Sequence, residues 1–283
     1  MADRRHVATL RSQWLGQRLR EQREAAGITV AEAAEYLGVK GNSTMSRYET
    51  GAVPLRWTDV DALLTMYGVA DAEQREELIA LAKEAWRKGW WDEYRDVVGS
   101  KRYLDVFWLE SRAAHIRIFS LGLLNGLLQS PAYMNELFRE DPALDDASAA
   151  RAAELRLARQ RMVSDAATTV TAIVHETVLR QRTSNPEAMR EQLNHLLEIG
   201  KNPRIVLRVL PFDRFLPRAL ASSFALFDLG EQFGPVGYVE NLAGCLCVET
   251  PVVDRYLDTY AELEEAALSQ GDSATLIEQA IEV

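Results

Sequence analysis

Small polar side chains cluster between residues 37 and 51, in the stretch LGVKGNSTMSRYETG. The amide, hydroxyl and guanidinium groups in this stretch are the groups that hydrogen-bond to base edges and phosphates in DNA. Asn42 can pair with adenine, Ser43 and Thr44 can contact bases or phosphates, and Arg47 can reach a guanine or a phosphate. The stretch therefore predicts a surface that recognises DNA.

Further candidate contacts lie on either side of these residues. Ser46 shares the outward face, while Lys40 and Arg56 are expected to contact phosphates, each adding about one unit to the salt dependence of binding. Thr29, at the start of the preceding helix, is expected to present backbone N–H groups to another phosphate. In contrast, Arg18, Arg20 and Arg23 are interpreted as solvated surface residues.

The helices on either side of the GVKGN turn must position these groups. Before that turn, a first amphipathic helix ends at Gly27, and a second helix begins with Thr29 as its N-cap. Glu32 follows Thr29 at the spacing of a capping box, and Gly38 ends the second helix. Since almost no linker separates the elements, the second helix and the one that follows across GVKGN predict a helix-turn-helix.

The third helix is expected from about Ser43, with Met45 and Tyr48 turned inward. A fourth helix is expected to have Thr58 as its N-cap, and a fifth opens at Asp71. Five short helices within the first 90 residues predict a compact all-α domain at residues 1–88.

The hydrophobic pattern of the sequence changes after a junction at 89–100, in which Gly and Ser residues interrupt the helical periodicity. Short runs such as VTAIVHE, RIVLRVLP and CLCVE alternate in period two, which predicts a small sheet of about five strands. The C-terminal domain, residues 101–283, is thus expected to be α+β. Its predicted helices lie at about 101–120, 131–140, 147–163, 186–200 and 251–268.

Composition limits the class of protein. The 283 residues are 47% hydrophobic and carry a net charge of −10. Residues 1–70 hold nine basic and eight acidic side chains, whereas the rest holds 23 basic and 34 acidic. The acidic excess argues against indiscriminate coating of nucleic acid. Because no apolar run has the length of a membrane span or a signal peptide, we expect a soluble, cytoplasmic protein without membrane partners.

The stretch LREQREAAGITVAEAAEYLGV followed by STMSRYETGAVP resembles the helix-turn-helix domain of Cro/C1-type (XRE) regulators. Further stretches, including HETVLRQ, NPRIVLRVLPFD and GYVENLAGCLCVE, resemble the WhiJ-like actinobacterial regulators, which have an antitoxin-like C-terminal domain. The resemblance extends over nearly all of residues 15–270. It implies a transcriptional regulator that often works with a small partner protein encoded by a neighbouring gene.

Three positions depart from the family pattern. Val30 replaces the usual glutamine that holds a phosphate, the turn at Lys40 to Asn42 is one residue longer, and Val53 replaces a basic residue. Each departure weakens contacts to the DNA backbone. A homodimer on two half-sites is expected to compensate.

The sequence does not predict an enzyme, a metal site or a cofactor site. Phosphate-binding loops, zinc-protease motifs and nucleophile elbows are absent. His175 and Glu176 close a predicted strand and are interpreted as a capped strand end. His115 and His195 are interpreted as packing or surface histidines. Cys245 and Cys247 alone cannot complete a metal site.

The sequence is compatible with three functions. The first is a sequence-specific regulator that responds to a small partner protein or a small-molecule effector. The second is an antitoxin-like interaction protein that sequesters a partner, with DNA binding secondary. The third is a ligand-sensing repressor, which an apolar pocket in the C-terminal domain would support. Part of RIFSLGLLNGLLQSPAYMNELF, whose apolar residues exceed one helix face, is either core or the lining of such a groove.

Overall fold

A computed structural model describes residues 8–87, 89–94, 97, 101–230, 233–241 and 244–282. The chain divides into two compact units. The first comprises Met1–Asp92 with Ser100–Asp105, and the second comprises Glu93–Gly99 with Val106–Val283. The domain boundaries expected from the sequence stay a prediction, and residues 88, 95, 96 and 98–100, in or beside the expected junction, lie outside the described residues.

The first unit contains the five helices that the sequence predicts. They are α1 (Leu10–Ala25), α2 (Val30–Tyr36), α3 (Asn42–Glu49), α4 (Trp57–Met66) and α5 (Ala72–Trp86). Their apolar faces meet in a core of fully buried side chains, each worth about 1.5–3 kcal/mol relative to exposure. That core includes Leu15, Leu19, Met45, Val60, Leu63 and Leu64.

The start of α4 differs from the prediction. The helix begins at Trp57, so Thr58 lies inside its first turn and Arg56 occupies the N-cap position without a side-chain hydrogen bond. Asp59 still lies in the first turn, where the helix dipole favours a carboxylate. The predicted N-cap was therefore two residues too late, because a threonine inside the first turn resembles a cap in sequence.

The second unit combines helices with one mixed sheet. Its helices are α6 (Lys101–Arg112), of which residues to Asp105 group with the first unit, then α7 (Pro131–Arg139), α8 (Asp146–Asp165), α9 (Glu176–Leu179), α10 (Pro186–Ile199), α11 (Val252–Ala266) and α12 (Gln270–Ile281). Its strands are β1 (His115–Ser120), β2 (Thr169–His175), β3 (Ile205–Leu210), β4 (Phe224–Asp228), β5 (Pro235–Asn241) and β6 (Gly244–Val248).

The sheet has the order β3-β2-β1-β4-β5-β6. Strands β1, β2 and β3 are parallel, and β4, β5 and β6 add antiparallel to the side of β1. Six strands thus replace the five expected, while the α+β class is confirmed. The parallel strands are linked through helices, as the geometry of parallel pairing requires.

The additional strand is β1, which the sequence analysis placed inside a helix at 101–120. The helix ends at Arg112, and His115 begins a strand that pairs with both β2 and β4. Ile116 and Ile118 are fully buried on it. Because β1 lies at the centre of the sheet, its conformation depends on partners about 50 and 110 residues away in sequence, which local periodicity does not reveal.

A helix that the sequence did not predict, α12, closes one edge of the sheet. The N–H of Val209 in β3 donates to the hydroxyl of Ser273 at 2.9 Å, and the carbonyl of Val209 accepts from the N–H of Leu268 at 2.9 Å.

Tyr260 of α11 packs in the core of the unit and donates its hydroxyl to the carbonyl of Thr171 at 2.7 Å.

Within the described ranges, no helix has both the length and the apolar content needed to cross a bilayer.

Candidate nucleic-acid interface

A short turn with two left-handed glycines joins α2 to α3. Gly38 has φ of +65°, and its N–H and that of Val39 donate to the carbonyls of Glu35 and Ala34. These two bonds satisfy the last carbonyls of α2 and form a Schellman motif. Gly41, with φ of +78°, then starts α3. The longer turn noted in sequence is therefore built on glycines at both of its ends.

The face of α3 that packs inward carries Met45 and Glu49, and Tyr48, which was also predicted to turn inward, is half-buried. Met45 is fully buried, and Glu49 is 8% exposed. Thr44 is half-buried, and its hydroxyl donates to the carbonyl of Lys40 at 3.0 Å. Thr44 thus has a local structural bond in addition to its predicted contact, and its oxygen can still accept a hydrogen bond.

The outward face of α3 carries Asn42, Ser43, Ser46 and Arg47, all of them exposed. The spacing of 0, 1, 4 and 5 residues places these four side chains on one side of the helix. None forms a side-chain hydrogen bond or ion pair with another residue of the described chain. Their hydrogen-bonding groups are therefore available to a ligand without breaking an internal bond.

The remaining predicted contacts lie in neighbouring parts of the same unit. Lys40 is exposed in the turn before α3, and Arg56 is exposed at the start of α4. Thr29 is exposed at the start of α2. All eight predicted residues thus belong to the helix-turn-helix region or to the helix start that follows it.

The start of α2 carries a complete capping box. The N–H and the hydroxyl of Thr29 both donate to the Glu32 carboxylate at 2.7 Å, and the N–H of Glu32 donates to the Thr29 hydroxyl at 3.2 Å. The hydrogen bonds from Thr29 hold the pKa of Glu32 below its ordinary value. An ionised carboxylate therefore occupies the helix end at which Thr29 was expected to meet a phosphate.

Two contacts fix α3 against α1. A Cβ added to Gly16 would lie 2.5 Å from the carbonyl oxygens of both Tyr48 and Glu49, so the helices approach backbone to backbone. Arg23 of α1 forms an ion pair with Glu49, with Nε 2.6 Å from Oε1. Both side chains are under a tenth exposed.

Arg23 is thus a buried residue, and its interpretation as solvated surface was wrong. Arg20 is exposed and paired with Glu24 four residues later, and Arg18 is exposed, as expected. A signal for the buried pair was present in sequence: Glu49 follows the inward-facing Met45 by four residues and so shares its face. A carboxylate on an inward face requires a cationic partner.

The His175–Glu176 pair has a structural role. The Nδ1 atom of His175 accepts from the N–H of Thr177 at 3.2 Å and caps α9. Glu176 pairs with Arg180 at 3.1 Å and accepts the N–H of Phe212 at 3.0 Å. Across the part of the chain that the structure describes, no group of three or more His, Cys, Asp or Glu side chains could hold a metal ion.

Two family profiles match the chain. One, described as a helix-turn-helix domain, matches residues 14–78, from within α1 to within α5. The other, described as a domain of unknown function (DUF5753), matches residues 103–279, which is more than half of the chain. No curated protein and no solved structure matches it.

Proposed function

The chain belongs to the DUF5753 family and carries a helix-turn-helix domain, and from this we propose that it is a sequence-specific DNA-binding transcriptional regulator. Its C-terminal domain receives a signal from a small partner protein or a small ligand. The resemblance to WhiJ-like regulators with an antitoxin-like domain supports a partner encoded by a neighbouring gene. We propose no catalytic step and no cofactor for this protein, and we place it in the cytoplasm.

The observation that carries the proposal is the outward face of α3. Asn42, Ser43, Ser46 and Arg47 are exposed together, while Met45 and Glu49 fix the opposite face inside the unit. A recognition helix needs this division, because its outer side chains must reach base edges while its inner side chains hold the helix rigid.

Each side chain has a role that follows from its chemistry. Asn42 makes two hydrogen bonds with adenine, and Arg47 reaches a guanine or a phosphate. Ser43, Thr44 and Ser46 contact bases or phosphates through their hydroxyls. In the surrounding region, Lys40 and Arg56 contact phosphates. A phosphate contact at the Thr29 N–H requires that this group release the Glu32 carboxylate.

The regulator acts as a homodimer in this proposal. One helix-turn-helix domain buries too little surface for tight specific binding, and two half-sites about one helical turn apart provide the rest. Sedimentation of the full chain with and without DNA tests this, since a monomer under both conditions would contradict it.

The deciding experiment is a titration of the full-length protein with its own upstream DNA and with scrambled DNA at two salt concentrations. Asn42→Ala is expected to lose about 1–3 kcal/mol of specific affinity. Arg47→Ala should lower affinity and, if Arg47 contacts a phosphate, reduce the salt slope by about one. Arg190→Ala, an exposed arginine on α10, is the matched control and should change neither quantity.

A second candidate is the partner-sequestering interaction protein, in which DNA binding is secondary. The capping box favours it, because the Glu32 carboxylate takes up the Thr29 N–H and repels a phosphate at that helix end. Equal affinity for upstream and scrambled DNA in the same titration, together with capture of a small neighbour-encoded protein that Asn42→Ala does not affect, would favour this candidate.

A further inference from the structure

A groove of about 260 Å³ opens in the second unit, beside the first residues of the parallel strands β2 and β3. Its walls come from α8, α10 and the short 3-10 helix at Gly126–Leu128. The lining is mainly apolar, with Leu127, Val163 and Ile199 among its side chains. Leu127 lies in the apolar stretch after β1 that the sequence left open between core and groove lining.

Most polar groups in the lining are used by the fold. The Thr168 hydroxyl donates to the carbonyl of Ala113 at 2.9 Å. The Arg204 guanidinium donates to the carbonyls of Ser164, at 2.9 Å, and Ala166. The Gln160 amide nitrogen likewise donates to two backbone carbonyls at 2.8 Å. These three side chains build the walls and have few hydrogen bonds left for a ligand.

Three polar side chains of the lining, Arg161, Ser164 and His195, differ from these. None of the three forms a side-chain hydrogen bond or ion pair with another residue in the described ranges. Arg161 is exposed, and His195 is half-buried. Burial holds the pKa of His195 below its ordinary value, although Glu191 acts in the opposite direction. His195 is therefore neutral near pH 7 and offers one N–H donor and one acceptor.

The charge of the lining is opposite to that of its surroundings. Two arginines, Arg161 and Arg204, line the groove, and none of the described acidic side chains does. Residues 71–283, in contrast, hold 23 basic and 34 acidic side chains. A cationic lining within an acidic domain selects for an anionic ligand.

We infer that this groove binds a small organic acid with an apolar body. The carboxylate accepts hydrogen bonds from Arg161 and His195, and the body packs on Leu127, Val163 and Ile199. At about 30 Å³ per small group, the volume of about 260 Å³ accommodates roughly nine non-hydrogen atoms. The binding stands by itself, whereas its meaning as a regulatory signal rests on the proposed function.

Calorimetric titration of the full-length protein tests the site with three probes of suitable size: benzoate, phenylacetate and 3-phenylpropionate. The corresponding amides, equal in shape but uncharged, are the ligand controls. We expect at least one acid to bind with a Kd below about 1 mM, and its amide to bind at least tenfold more weakly, because the loss of one charge-assisted contact is worth about that factor.

Two variants locate the binding in the groove. Arg161→Gln should weaken acid binding about tenfold, and Ser164→Trp should block the mouth and abolish it. Both side chains are exposed, so neither substitution disturbs a buried core. Arg190→Gln, on the same helix as His195, is the control and should bind the acid as the wild type does.

Specific outcomes overturn the inference. They are the failure of all three acids to bind below 1 mM, equal affinity for an acid and its amide, and unchanged binding in folded Ser164→Trp. The DNA titration is then repeated with the acid present, and a change in DNA affinity would show that the acid acts as a regulatory signal. If the protein binds the acid but has equal affinity for upstream and scrambled DNA, the proposed function is refuted, whereas the inferred acid site is not.

Discussion

Arg23 in α1 holds Glu49 at the end of α3 through two side-chain hydrogen bonds, Nε to Oε1 at 2.6 Å and Nη2 to Oε2 at 3.1 Å. A third bond, from Nη1 of Arg23 to the carbonyl of Ile28 at 2.8 Å, ties the loop before α2 to the same guanidinium. The hydrogen bond with Glu49 raises the pKa of Arg23 above its ordinary value. One buried cation thus connects α1, α3 and the loop that precedes α2.

Removal of Glu49 should destabilise the first unit strongly. Glu49→Leu leaves the Arg23 charge buried without its carboxylate, a change that typically costs about 3–5 kcal/mol. Urea unfolding of the full-length protein, with α3 followed by hydrogen exchange, measures the loss. The double variant Arg23→Met with Glu49→Leu should recover most of it, because no buried charge remains.

The exposed Glu21, on the same helix as Arg23, is the control for this experiment. Glu21→Gln should leave the unfolding midpoint nearly unchanged, because this carboxylate is exposed and accepts from the Gln17 side chain one turn away. If Glu49→Leu proved as stable as Glu21→Gln, the buried pair would not hold α3 in place.

Gly16 should tolerate no side chain. In Gly16→Ala the new methyl would lie 2.5 Å from two carbonyl oxygens of α3, so α1 and α3 must separate. Overpacking of this kind costs about 1–3 kcal/mol. Gly122→Ala, whose added Cβ has no atom within 4 Å, is the control and should show no comparable loss in thermal unfolding. Equal melting temperatures for the two variants would contradict the close approach.

Glu32→Gln should increase affinity for DNA. Glutamine keeps the capping box but removes the negative charge beside the Thr29 N–H. If α2 begins next to a phosphate, the gain should be roughly two- to fivefold at low salt and smaller at high salt. Glu35→Gln, an exposed carboxylate one turn later, is the matched control for net charge. An equal gain in both variants would show only a general charge effect, and no gain would place the start of α2 away from the DNA.

His175 should make stability depend on pH below about 6.5. Burial lowers its pKa in the folded protein, and its Nδ1 must stay unprotonated to accept the Thr177 N–H. The unfolded chain protonates this histidine near its ordinary pKa of about 6.5, so it binds more protons than the folded state as the pH falls. The contribution is therefore intact above that pH and is lost progressively below it.

Melting temperatures between pH 7.5 and 5.5 measure this effect. His175→Asn retains a cap acceptor but does not titrate, so its melting temperature should fall less over the same range. Parallel curves for the wild type and the variant would assign the pH dependence to other groups.

Local sequence signals predicted the helices of the first unit and the capping box of Thr29 and Glu32, because a cap and its partner lie within one turn. The inward position of Met45 followed in the same way from spacing. The ion pair of Arg23 with Glu49 spans 26 residues. Neither a helical period nor a cap specifies such a partner.

The second unit shows the same limit more clearly. The β1 sequence HIRIFS continues an apolar stretch after α6 and was assigned to that helix, yet β2 and β4 make it the central strand. The helix α12 was missed because small and polar residues weaken its periodicity, although Ser269 with Asp272 is a cap signal. The groove residues Arg161 and His195 lie 34 positions apart, so only the packing of α8 and α10 brings them together.

The four outward side chains of α3 are exposed and form no side-chain hydrogen bond or ion pair within the described chain. Selection on folding therefore leaves positions 42, 43, 46 and 47 almost unconstrained. A library randomised at these four codons should yield mostly folded proteins with wild-type melting temperatures. Under the proposed function, related chains can diverge in the DNA sites they bind while sharing one scaffold, and the same freedom makes this helix a starting point for retargeting by engineering.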